Sequence, residues 1–190
     1  MEKTVVRAQA QAPVRRLVMT ALFAALGCVA TMMLQVPSPT GGYMNLGDAV
    51  VILGAFLLGP VYGAAAGGLG PAMADLLSGY AMYVSGTLVI KAVMALTAAG
   101  LFRGLGKRGW SLPFCAVAAE VPMVVGYWLF DALLTFLSSQ GMAFTLCLAG
   151  SAAGIPSNLV QAVFGAAAST LLAAALHRSA YVRQSFPHFS

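Results

Sequence analysis

The chain has 190 residues, of which 60% are hydrophobic and 8% charged, with a mean hydropathy of +0.87. A soluble globular domain carries about 25% charged residues, so the composition excludes a soluble enzyme and points to an integral membrane protein. The net charge of +5 does not indicate a nucleic-acid binder, because the basic residues form no stripe interleaved with aromatics.

Residues 1–16 are polar and carry Lys3, Arg7, Arg15 and Arg16. The apolar run behind them shows no small-residue cleavage site, so they read as a cytoplasmic tail ahead of a retained first helix. A spanning helix takes about 20 apolar residues, and residues 17–36 supply the first. The run Pro37-Ser38-Pro39-Thr40-Gly41-Gly42 reads as a loop. Residues 46–58 give a short second helix, and Gly59-Pro60 breaks it from a third over 60–78. A fourth covers 83–102, followed by a basic loop with Arg103, Lys107 and Arg108. The fifth covers 112–137, with Pro122 as an expected kink. The apolar stretch 144–154 is too short to span, and the sixth helix runs over 155–177 with Pro156 in its first turn. The predicted fold is an all-α bundle of six transmembrane helices over 17–178, followed by a cytoplasmic tail at 179–190.

Lys and Arg placement sets the orientation. With both termini inside, nine of the ten basic residues face the cytoplasm, and the tenth, Lys91, lies within a helix. The outer loops near 37–45, 79–82 and 138–154 carry no Lys or Arg. No inverted repeat and no GxxxxGK[ST] phosphate loop is visible. Cys28, Cys115 and Cys147 have no metal-binding spacing and read as small packing residues, so neither a metal nor a cofactor is expected.

Ionisable groups inside hydrocarbon need a reason to be there. Asp48 stands at the outer start of helix 2, where a carboxylate suits the helix dipole and reads as an N-terminal cap. Asp75 falls about 6 Å below the outer end of helix 3, and Lys91 and Asp131 about 10–12 Å below the outer surface. These three make either an ion pair tying helix 4 to helix 3 or 5, or the polar floor of a ligand pocket, and the two readings are compatible. Tyr43, Tyr80, Tyr83, Tyr127, Trp128 and Phe130 gather in the same outer region, where an interfacial belt is the plainer reading of Tyr80 and Tyr83. Tyr127 stands one turn from Asp131, so both can face one cavity. Thr87 lies one turn before Lys91, and Asn158 and Gln161 open helix 6 with amide donors and acceptors. The candidate binding set is therefore Asp75, Tyr83, Thr87, Lys91, Tyr127, Asp131, Asn158 and Gln161. Glu120, nearer the cytoplasmic half, reads as satisfying backbone amides or an interhelix bond. Small residues line helix 1 on adjoining faces (Ala21, Ala25 and Cys28; Thr20, Ala24, Gly27 and Thr31). Small faces permit close helix approach, which makes helix 1 the best candidate for meeting an external partner.

Residues 43–96 contain Tyr-Met-Asn-Leu-Gly-Asp, then Leu-Leu-Gly-Pro-Val-Tyr-Gly, Ala-Asp-Leu-Leu-Ser-Gly-Tyr and Ile-Lys-Ala-Val-Met-Ala-Leu, and Pro-Ser-Asn-Leu-Val-Gln opens helix 6. This pattern resembles the substrate-binding S component of energy-coupling factor (ECF) vitamin transporters, in the riboflavin- and pyridoxine-type group. The resemblance implies binding of a small water-soluble vitamin or related heterocycle from outside: a vitamin B6 vitamer, a thiamine-precursor pyrimidine or riboflavin. It also implies toppling against a transmembrane coupling subunit, with two ATPase subunits driving the cycle. Ala21 and Ala25 match the helix-1 AxxxA motif that docks on the coupling subunit. The rival reading is a stand-alone proton- or ion-coupled carrier with Asp75, Lys91 and Asp131 as its relay. An intramembrane enzyme is not expected, since His177 and His188 both lie at the cytoplasmic end and no nucleophile motif is visible.

Overall fold

The structure, a computed structural model, describes residues 2–106, 110–186 and 189; Lys107 and Arg108 of the basic loop and His188 lie outside the described residues. The chain is helical almost throughout. Helix α1 spans Glu2–Met33, and two short strands, β1 (Val36–Pro37) and β2 (Tyr43–Met44), pair antiparallel after it. Then come α2 (Gly47–Leu58), α3 (Pro60–Leu77), α4 (Val84–Leu105), α5 (Ser111–Ser138), α6 (Phe144–Ser151), α7 (Ile155–His177) and α8 (Ala180–Ser185).

Two boundaries correct the sequence reading. The first helix starts at Glu2 rather than at residue 17 and ends at Met33, short of the expected Val36, which instead enters the hairpin. The stretch after α5, expected as an outer loop too short to span, is helical and runs through a 3-10 turn at Ala152–Gly154 straight into α7. Pro156 does not interrupt this run because it sits in the first turn of α7, where its missing N–H has no partner to lose.

Four segments are long and apolar enough to cross a membrane: Val14–Met33, Ala81–Leu105, Ser111–Ser138 and Phe144–His177. Helix α2 is apolar but only 12 residues long, and α3 is diluted by its glycines and Asp75. Helix α2 packs at the centre of the bundle, and α3 packs beside it with Val61, Leu69 and Leu77 exposed. Helix α2 is buried from Gly47 to Leu57 and touches α1, α3, α4 and α7. Helix α3 comes close through glycine: a side chain at Gly63 would run into the Ala55 backbone, and one at Gly70 into the Ala24 carbonyl. Between α2 and α3 the turn is made by Gly59, whose positive φ of 81° suits glycine, followed by Pro60 in the first turn of α3.

Around α2 the other long helices form an incomplete ring. Helix α1 packs on α2 and α3, α3 on α4, α4 on α5, and α5 on α7. The core is apolar, with Phe56 against Phe102 at 5.1 Å between ring centroids and Met94 and Met123 fully buried. Outward the ring is equally apolar, exposing Leu17, Leu22 and Leu26 on α1, Val117 and Val121 on α5, and Val163, Phe164 and Leu171 on α7. A surface of that kind needs lipid against it.

The bundle's two ends differ. At one, Arg16 lies over the Tyr62 ring, Arg15 over the Phe186 ring, and the Arg103 guanidinium closes on Gly59. At the other, the hairpin after α1 and the last turns of α3 and α5 meet the first turns of α2, α4 and α7. There Gln35 donates to Ser78 at 2.9 Å, and the hydroxyls of Ser38 and Ser157 lie 3.0 Å apart.

Candidate functional site

The Asn-Leu-Gly-Asp segment organises the hairpin end of the bundle. Asn45 Oδ1 accepts the Gly47 N–H at 2.9 Å, capping the first turn of α2 from two residues upstream. Gly47 has no room for a side chain because Thr31 of α1 fills that space. Asp48 then points inward. It makes no cap bond; its Oδ1 meets the Lys91 ammonium and its Oδ2 accepts Gln161 Nε2 at 2.7 Å. Gln161 turns its other end outward, where Oε1 accepts the Asn45 N–H at 2.8 Å. The cap reading of Asp48 is thus overturned, and so is the pairing of Lys91 with helix 3 or 5. Lys91 pairs with α2, and both partners are fully buried. The Tyr127 ring adds a face for the ammonium, 5.3 Å from its centroid.

Above this pair lies a small cavity of about 30 Å³. Its walls include Asp75 from α3, Tyr83 and Thr87 at the start of α4, Tyr127 and Asp131 from α5, and Asn158 and Gln161 from α7. Of the residues predicted from sequence, these seven come together and Lys91 does not, because it lies beneath the floor. Ser38, Thr40, Gly42, Tyr43 and Asn45 complete the lining from the hairpin side. Of these, Tyr43 carried a sequence signal as one of the outer aromatics, and Asn45 as part of the Asn-Leu-Gly-Asp pattern. The Pro-Ser-Pro-Thr-Gly-Gly run marks a turn but does not show which of its groups face inward.

Two tyrosine–carboxylate pairs dominate the chemistry. Tyr43 donates to Asp75 Oδ1 at 2.5 Å, and Tyr83 to Asp131 Oδ1 at 2.9 Å. Burial, with the Asp75 carboxylate beside it, holds the Tyr43 phenol above its ordinary range, so it stays a donor. The hydroxyls of Thr87 and Tyr127 share a bond of 3.0 Å. Rings continue the wall: Tyr43 and Tyr80 are 4.6 Å apart, and Tyr83 meets the edge of Phe130 at 5.9 Å. Gly42 lies against the face of Tyr83, and Thr40 O lies 3.2 Å from its hydroxyl, so the hairpin roofs the cavity. Trp128 on α5 donates to Leu148 O at 2.9 Å and holds α6 at the side.

Other candidates lie elsewhere. Glu120 is buried between α5 and α7 beside Gly165, and neither of its carboxyl oxygens has a hydrogen-bond partner among the described residues. Its neighbour across the helices is Asp48 of α2, which meets it at Gly165. On α1 the two small faces separate: Thr20, Gly27 and Thr31 are buried in the bundle, whereas Ala21 and Ala25 are exposed.

An apolar helical ring closed over a roofed polar cavity is the architecture of a membrane-embedded solute-binding protein. The structure is similar to the crystal structure of the S component for biotin from an ECF-type ABC transporter, with a TM-score of 0.62 over 92% of this chain and 96% of that one, at 15% identity. That likeness establishes the fold. The sequence matches the family described as ECF-type riboflavin transporter, S component, over residues 11–178, and the chain belongs to that family. It is a multi-pass membrane transport component and not an enzyme. An uncharacterized protein of Pyrococcus woesei is 38% identical over 100 residues, which span 52% of this chain and 66% of that protein, just under two thirds.

Proposed function

We propose that the chain is the vitamin-binding subunit of an ECF-type importer in the plasma membrane, taking its ligand into the roofed cavity from outside. The observation that carries this reading is the cavity itself: polar side chains from four helices and a hairpin converge at one end of an apolar bundle. The ligand is a B6 vitamer, a thiamine-precursor pyrimidine or riboflavin, with Asp75, Tyr83, Thr87, Tyr127, Asp131, Asn158 and Gln161 holding it. In this reading six helices cross the membrane with both termini in the cytoplasm, since Arg15, Arg16 and Arg103 gather at the end away from the cavity. Delivery follows by toppling against a coupling subunit, with Ala21 and Ala25 as the docking face and two ATPases driving the cycle. The stand-alone carrier loses support from Lys91, whose pairing with Asp48 takes it out of the proposed relay with Asp75 and Asp131.

Uptake measured in a host with and without a coupling module and its ATPases tests the assignment. Accumulation should require the module; accumulation without it would favour the carrier. Loss of a hydrogen bond to a charged group costs about 1.5–3 kcal/mol, or roughly ten- to a hundredfold in affinity. Asp131→Asn and Asn158→Ala should weaken ligand binding by that order in calorimetry on folded, detergent-purified protein. Unchanged affinity in both variants would move the site elsewhere.

A further inference from the structure

We infer that the cavity selects a small heteroaromatic ring bearing an amino group or a protonated nitrogen, and rejects rings carrying phosphate or carboxylate. The inference rests on the cavity being the ligand site and narrows what that site accepts. Its charged lining consists of Asp75 and Asp131, with no Lys, Arg or His among the lining residues. The nearest cation does not change this balance, because Lys91 is fully buried below the floor and already bound to Asp48. An anion entering here would meet two carboxylates with no compensating charge, an arrangement that binding sites use to exclude wrong partners.

An independent observation points the same way. Asp75, which lines the site beside Thr87, is 4% exposed; its Oδ1 is taken by Tyr43, and its Oδ2 has no hydrogen-bond partner among the described residues. A buried carboxylate oxygen left unmatched is costly, and a ligand N–H is the group that satisfies it. The tyrosines do not compete for that role. Tyr43 and Tyr83 direct their protons to Asp75 and Asp131 and offer a ligand only lone pairs and ring faces. Those faces favour a cationic ring over an anionic one.

The test is calorimetry on the full, detergent-purified chain with matched probes. One pair is 4-amino-5-hydroxymethyl-2-methylpyrimidine and its 4-oxo counterpart; another is pyridoxamine and pyridoxamine 5′-phosphate; riboflavin is the fifth probe. At least one amino-bearing, unphosphorylated probe should bind about tenfold or more tighter than its partner and than riboflavin. Asp75→Asn should erase that preference while Asn158→Ala weakens both members of the pair. If Asp75→Asn lowers the melting temperature, the ratio on the unmutated chain decides. Equal affinities within the pairs, tightest binding by riboflavin or the phosphate, or no binding by either amino-bearing probe overturns the inference. Binding that ignores both Asp75→Asn and Asn158→Ala instead removes the ligand from this cavity, and the site reading falls with it.

Discussion

At Lys91 the bundle holds a full positive charge away from water, and the Asp48 carboxylate is what makes that tolerable. Removing one member of a buried pair leaves its partner uncompensated and costs about 3–5 kcal/mol, whereas replacing both with apolar groups is often neutral. Lys91→Met and Asp48→Leu should therefore each lower the melting temperature sharply, and the double variant should recover much of the loss. Recovery stays incomplete because Gln161 Nε2 also loses its acceptor in Asp48→Leu. Thermal unfolding of the four proteins as a double-mutant cycle checks this, and additive losses would show that the pair is not coupled. The sequence marked Lys91 as needing a partner but named the wrong ones. Asp48 sits in the first turn of α2, where a carboxylate is ordinarily a cap, and a pairing across 43 residues leaves no local signal. The Tyr127–Asp131 relation was legible because one helical turn fixes it, and both residues do line the cavity.

Among the elements, the hairpin between α1 and α2 is held to the bundle by a few side-chain bonds. Its strands are two residues each, and it is tied to the bundle through side chains: Gln35 to Ser78, Ser38 to Ser157 and Tyr43 to Asp75. Such a roof can lift as a unit when those few bonds break. Ser38→Cys with Ser157→Cys should cross-link under oxidation, since the native hydroxyls are 3.0 Å apart. The oxidised protein should lose ligand binding and regain it on reduction; full binding with the cross-link in place would mean that ligand enters by another path. Hydropathy located α2 to α5 and α7 to within a few residues, but not the polar first half of α1, and not this hairpin, because two-residue strands carry no alternating pattern to read. The α6–α7 run was misjudged for a different reason. Residues 144–154 are too short to span by themselves and read as part of an outer loop, yet they pass through helical turns into α7, whose start at Ile155 the sequence locates.

On the scale of the whole molecule, α1 leaves one face uncovered. It packs on α2 and α3, and its opposite side presents Ala21 and Ala25 among Leu17, Leu22 and Leu26. Ala21→Trp with Ala25→Trp should abolish module-dependent uptake and leave ligand binding to the isolated protein unchanged. Uptake that survives would place the docking face elsewhere. Orientation is testable separately. In a cysteine-free background, Gln140→Cys at the cavity end should react with an impermeant thiol reagent from outside, and Gly104→Cys at the basic end should not; the reverse labelling would invert the topology.

The buried pair also bears on how the chain is made. With 12 residues, α2 extends about 18 Å, short of the roughly 30 Å of hydrocarbon it would have to cross. Helix α4 is long enough but carries Lys91, and a charge at the centre of an inserting helix costs about 2.5–3.5 kcal/mol. Neither segment is a good client for the insertion machinery by itself, and each supplies what the other lacks. Because α2 is synthesised first, its carboxylate is already waiting when Lys91 emerges, with α3 folded between them. Insertion of α2 to α4 as one neutralised unit is therefore the expected route into the bilayer.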